Sequence, residues 1–111
     1  MSQRHLQDDL DKLKRALVQM GETAQHAVSM AVEALREGNR AKAYQVIDED
    51  GKLDALELEI EEMAVGLLAL QQPMARDLRF ITTTMKIAND LERVGDHAVN
   101  VAETVHYILE G

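Results

Sequence analysis

Near its start the chain carries an apolar residue at every third or fourth position without a break: Leu6, Leu10, Leu13, Leu17, Met20, Ala24, Ala27, Ala31 and Ala34. Steps alternating between four and three keep these side chains on one face of an α-helix for about eight turns. A seam of that length is buried only by other helices running alongside it. In a chain of 111 residues with one proline and six glycines, this leaves no room for a many-stranded sheet.

Two punctuation points divide the rest. Gly38-Asn39 supplies a left-handed helix end and then an N-cap. Gln71-Gln72-Pro73 ends a second helix, and Pro73 suits the first turn of a third. The spacing predicts helices over about 3–37, 40–70 and 74–109. The second has the seam Val46, Leu53, Leu56, Ile60, Met63, Leu67 and Leu70; the third has Ile87, Leu91, Val94, Ala98, Val101, Val105 and Ile108. Short turns make successive helices antiparallel. The expected fold is therefore all-α: one domain over 1–111, an antiparallel up-down-up three-helix bundle. With 3% aromatics and no Trp, its core is aliphatic and Met-based.

The formal charge of -8 argues against nucleic acid, whose phosphates need a basic stripe, and against adsorption to anionic lipid. It suits cations or basic partner surfaces. The absence of Cys excludes disulfides, thiolate metal sites and cysteine nucleophiles. No apolar run approaches the roughly 20 residues of a membrane span, and the first residues lead into an amphipathic pattern rather than a signal segment. A soluble, cytoplasmic chain is expected.

Acidic residues form the one pattern that suggests chemistry. Beside the second seam runs a stripe of Asp50, Asp54, Glu57 and Glu61; on the third helix Asn89, Glu92, Asp96, Asn100 and Glu103 point away from the seam expected there. Across an antiparallel pair turning at Pro73, Asp54 is level with Glu92 and Asp50 with Asp96, roughly 28 Å from the turn at 1.5 Å per residue. If their faces turn toward one groove, Asp50, Asp54, Glu92 and Asp96 form an oxygen-rich metal site for a hard or borderline cation such as Mg, Mn, Fe or Ca. The alternative is a metal-free helical interaction scaffold whose acids are merely solvated. Arg93 and His97 compete as ion-pair partners, and Gly95 is best explained by close helix contact. Glu22 and His26 lie near the same height and read as solvated surface. Arg76, Asp77 and Arg79 crowd the start of the third helix and suggest a contact surface. Glu103 and His106 form a lone E-x-x-H, where a di-iron oxidase bundle needs two. With no phosphate loop and no Ser/His/Asp set, the chain is not expected to be an enzyme.

The segments Gln71-Gln72-Pro73-Met74-Ala75-Arg76-Asp77-Leu78-Arg79-Phe80 and Asp90-Leu91-Glu92-Arg93-Val94-Gly95-Asp96-His97-Ala98-Val99-Asn100-Val101-Ala102-Glu103 closely resemble the PhoU family of phosphate-uptake regulators, as does Val46-Ile47-Asp48-Glu49-Asp50-Gly51-Lys52-Leu53-Asp54. The resemblance covers essentially the whole chain. It implies a cytoplasmic negative regulator of phosphate homeostasis, acting with a phosphate ABC transporter ATPase and a sensor histidine kinase. It also implies a divalent or trivalent metal ion (Fe, Mn, Mg or Zn) held through E/D-x-x-x-D pairs, which map here to Asp50 with Asp54 and Glu92 with Asp96. Family members typically carry two such bundles in tandem. A single one implies a homodimer or pairing with a second repeat.

Overall fold

A computed structural model describes residues 3–110, with side chains from His5 to Glu110; Met1, Ser2 and Gly111, part of the expected domain span, lie outside the described residues. Three helices follow one another: α1 (Gln3–Glu37), α2 (Arg40–Leu70) and α3 (Ala75–Glu110). Each packs on the other two, giving a rod of 59 × 17 × 16 Å. The expected antiparallel bundle is what forms, and the first two helices have the expected bounds.

The first corner is closed by local chemistry. Gly38 takes φ +65°, a left-handed value that a side chain disfavours, and lets Asn39 N–H donate to Ala34 C=O at 2.9 Å. Asn39 Oδ1 then accepts from Lys42 N–H at 3.1 Å, capping α2. The second corner departs from expectation. Pro73 lies in the connection, and it is Met74 C=O that accepts the first α3 bond, from Leu78 N–H at 2.8 Å.

The core changes character along the rod. Toward the second corner it is built from large side chains, including Leu13, Met20, Leu56, Ile60, Leu67 and Ile81. Full burial of each is worth about 1.5–3 kcal/mol. Toward the first corner it is Ala31, Ala34, Ala43, Ala98 and Ala102 with Val46 and Val105. A buried methyl contributes only about 0.8 kcal/mol, so the large-residue half carries most of the hydrophobic stabilisation.

Two seams differ from their expected course. Leu70 is 73% exposed, and the α2 interior takes Ala43 and Ala64 instead. On α3 the buried residues are Ile81, Thr84, Ala88, Gly95, Ala98, Ala102 and Val105, while Ile87, Val94 and Ile108 are exposed. The true seam is rotated by roughly 70° at 100° per residue. Small residues permit that rotation, and the buried Thr84 hydroxyl is satisfied by Phe80 C=O at 2.8 Å.

Candidate functional site

The rotation of α3 places the site. Glu92 and Asp96 do not point to the outer pole opposite the core; they lie on the shoulder of α3 that borders α2. Gly95 is buried between them, and a Cβ there would stand 3.3 Å from Leu53 Cδ2 and 3.6 Å from Asp50 Oδ1. The close contact expected of Gly95 is therefore present. It draws α3 onto α2 at the height where the acids are concentrated.

The consequence is electrostatic. Partial burial pushes the Asp50 carboxyl above its ordinary value, and the charges of Asp54 and Asp96 push it further. Glu92 is raised by burial first, then by Asp96, Glu57, Asp54 and Asp50. Glu57 is raised by burial and by Glu61, Asp54 and Asp96. Asp50, Asp54, Glu92 and Asp96 thus share one field, and Glu57 joins them although it was not expected to. Its place in the α2 stripe, one turn beyond Asp54, was the available clue.

Among the described residues, no lysine or arginine forms a salt bridge with the acids of this groove. The ion pairs are Lys42 with Glu33 and Glu37, Arg36 with Glu37, and Lys52 with Glu49 at 3.5 Å. Arg93 and His97 are exposed, and neither forms a salt bridge with the groove acids. Nor do any three His, Asp or Glu side chains among the described residues group so as to hold a metal ion. The groove is a concentration of unbalanced charge, not a finished ligand cage.

On the other side of Asp50, a cavity of about 320 Å³ opens toward α1, where Glu22 and His26 line it with Glu49, Gly95 and Val99. Glu22 and His26 are themselves exposed, as expected for solvated residues. Glu103 is also exposed, while His106 packs against Tyr44 with ring centroids 3.8 Å apart and the ring planes tilted by 50°. Both ring nitrogens of His106 are buried without a hydrogen-bond partner. No helix among the described residues is long and apolar enough to cross a membrane.

Residues 17–105 match the PhoU domain family model. A phosphate-specific transport system accessory protein PhoU homolog of Clostridium acetobutylicum is 40% identical over 106 residues, covering 95% of this chain and 48% of that protein. The homolog of the same description from Aquifex aeolicus is 40% identical over 102 residues, covering 92% and 46%. A crystal structure of PhoU from Pseudomonas aeruginosa superposes with a TM-score of 0.91 at 36% identity, covering 94% of this chain and 50% of that one. The chain spans about half the length of the curated relatives it matches.

Proposed function

This chain belongs to the PhoU family, and from that premise we propose that it regulates phosphate uptake and phosphate-starvation signalling by protein–protein contact, without catalysis. The relatives are described as accessory proteins of a phosphate-specific transport system. That description supports association with the transport system; docking on the transporter ATPase, a sensor histidine kinase as second partner and a repressing role when phosphate is plentiful are the proposal's own parts. The cytoplasm is where both contacts would be made.

We further propose that a metal ion adjusts this docking from the α2/α3 groove, held by Asp50, Asp54, Glu92 and Asp96. The observation that supports it is the mutual repulsion of these carboxylates, with Asp50 and Glu92 raised in proton affinity and no lysine or arginine paired to them. All-oxygen, anionic donors fit a hard or borderline cation such as Fe, Mn or Mg, and Zn is also accommodated by carboxylates. When bound, the ion supplies neutralisation of the groove's charge. The chain's own part is to hold the two helices together at Gly95 so that acids of α2 and α3 stay within reach of one another.

A second mode, docking through the acidic groove without metal, is favoured by the absence of any three grouped ligands among the described residues. Titration calorimetry with Mn and Fe separates the two. Binding that is lost in Asp96→Asn with Glu92→Gln supports the metal. No binding to the wild type, or unchanged binding in the double variant, rules it out. A pull-down against the transporter ATPase and the kinase, with and without Mn, tests the docking itself; capture of neither would overturn the regulatory assignment.

A further inference from the structure

The outer pole of α3, which Glu92 and Asp96 do not occupy, is held by cations. Arg79, Lys86 and Arg93 stand seven apart, and each lies two residues from a buried position: Ile81, Ala88 and Gly95. Two residues are roughly 200° of turn, so all three side chains point almost directly away from the core. A seven-residue repeat drifts only about 20° per step on a straight helix, so they form one line. All three are exposed, and none forms a salt bridge among the described residues. Of the acids between Ala75 and Arg93, Asp77 is turned toward α1 and Glu92 toward α2, which leaves Asp90 beside the line. On a chain with a formal charge of -8 this face is the exception. A second row joins it. Met74, Leu78, Thr82 and Lys86 stand four apart and follow one ridge of the helix surface. Met74 is 79% and Leu78 42% exposed, so the ridge runs from an apolar end at the second corner to the basic line at Lys86.

We propose that this outer face of α3 docks an acidic helix of a partner protein, which lays carboxylates along Arg79, Lys86 and Arg93 and an apolar side chain on Met74 and Leu78. Charge selects the partner. Carboxylates at seven-residue spacing on a helix running alongside meet all three cations, as the flanking charges of paired helices do. At its end such a helix covers Met74 and Leu78, and the flexible thioether of Met74 adapts to the group it receives. Arg76, in the first turn of α3, stands where the helix dipole disfavours a cation, and a nearby carboxylate relieves that. Shape selects a helix over a broad surface. The basic line is one side chain wide, and Glu92 lies only about 100° round α3 from Arg93. A flat anionic membrane or a nucleic-acid duplex set on the line would press on the acids of the α2/α3 groove as well. A helix roughly 10 Å across clears them. From Met74 to Arg93 the face is roughly 28 Å long at 1.5 Å per residue, so about 20 residues of partner helix cover it. The acidic groove stays open beside it, and the docking requires neither a metal there nor a role in phosphate signalling.

Fluorescence anisotropy with a labelled synthetic peptide tests the docking. The probe is a helix-forming peptide of about 20 residues with Glu at every seventh position and Leu in both end turns; its companion carries Gln in place of each Glu. The wild type is expected to bind the Glu peptide with a dissociation constant below roughly 100 µM and the Gln peptide about fivefold more weakly. Lys86→Glu and, separately, Arg79→Gln with Arg93→Gln are expected to weaken the Glu peptide about fivefold with unchanged far-UV circular dichroism. Arg15→Glu makes the same change of net charge on an exposed position of α1 and should leave binding intact. The double variant keeps the test valid if Lys86→Glu fails to fold. No binding of the Glu peptide to the wild type overturns the proposal, as does equal binding of the two peptides. So does binding that the α3 variants leave unchanged, or that Arg15→Glu weakens equally. Capture by phosphatidylglycerol vesicles in place of the peptide would assign the face to a membrane instead.

Discussion

Acidic side chains gather at two places along the rod, and the bundle treats them in opposite ways. At the first corner Lys42 Nζ lies 3.2 Å from both Glu33 Oε2 and Glu37 Oε1. Its hydrogen bond, with a second from Asn39, holds the Glu37 carboxyl below its ordinary value, and the two glutamates hold the ammonium above its own. Farther along α2, in the α2/α3 groove, Asp50, Glu57 and Glu92 are shifted upward by burial first and then by neighbouring carboxylates, Asp54 and Asp96 acting on all three. The sequence is not short of cations there, since Lys52 is only two residues from Asp50; Lys52 pairs with Glu49 instead. Residue type does not decide the electrical state of a carboxylate in this protein. The shoulder of the helix it occupies does.

That contrast can be attacked from the groove side first, where the effect is largest. Gly95→Leu puts a branched side chain where even a Cβ would be 3.3 Å from Leu53, and overpacking of this kind should cost about 3 kcal/mol in urea unfolding. A loss well under 1 kcal/mol would mean that the groove yields easily and that helix contact is not what partly buries Asp50. Gly38→Ala attacks the other corner. With φ at +65° it should lose about 1 kcal/mol by the same measurement, and no loss would show that the turn relaxes to a right-handed value.

The charges themselves give smaller effects with a definite sign. Asp50, Glu57 and Glu92 have folded values raised above their unfolded ones. Their stabilising contribution is complete below the unfolded value and is lost as pH rises through the folded value. Glu37 is shifted the other way, so its contribution is lost as pH falls through its lowered value. Tm should therefore rise as pH drops from neutral into the ordinary carboxylate range, roughly pH 4 to 4.5, and fall below it as Glu37 takes up its proton. Asp50→Asn should raise Tm at neutral pH by roughly 2 °C and flatten that rise; a lower Tm would mean that an unseen cation already balances the groove. Smallest of all is Lys42→Met. Its Tm should fall slightly at low salt and match the wild type at roughly 1 M salt, as expected for exposed ion pairs.

The helices and the first corner were legible in the sequence because their determinants are local: Gly38 for a left-handed end, Asn39 for a cap, and three- and four-residue steps for α1 and α2. The course of α3 was not. Its larger residues, Ile87, Val94 and Ile108, lie beside the core, and Thr84, Ala88, Gly95 and Ala102 lie in it. A seam sought by size finds the wrong line when the tightest contacts go to the smallest residues. The same error aimed Glu92 and Asp96 at the outer pole. Their matching heights with Asp54 and Asp50 were legible, since height depends on rise per residue alone. Their turn toward α2 depended on Gly95 meeting Leu53, a contact that spacing along one helix does not contain.

The alanine-lined half of the rod makes the bundle unequal in what substitutions it tolerates. Ala31, Ala34, Ala43, Ala98 and Ala102 have nothing left to truncate, so, Val46 and Val105 apart, this half is harmed chiefly by enlargement. The Leu13, Met20, Ile60 and Ile81 half is harmed chiefly by loss of volume, at about 2–5 kcal/mol for a change to Ala. A library of alanine variants would map one end of the molecule and report almost nothing at the other. A library of leucine variants would do the reverse. Sequence drift in a protein built this way should run toward small residues near the first corner and large ones near the second, with the acidic groove at the boundary between them.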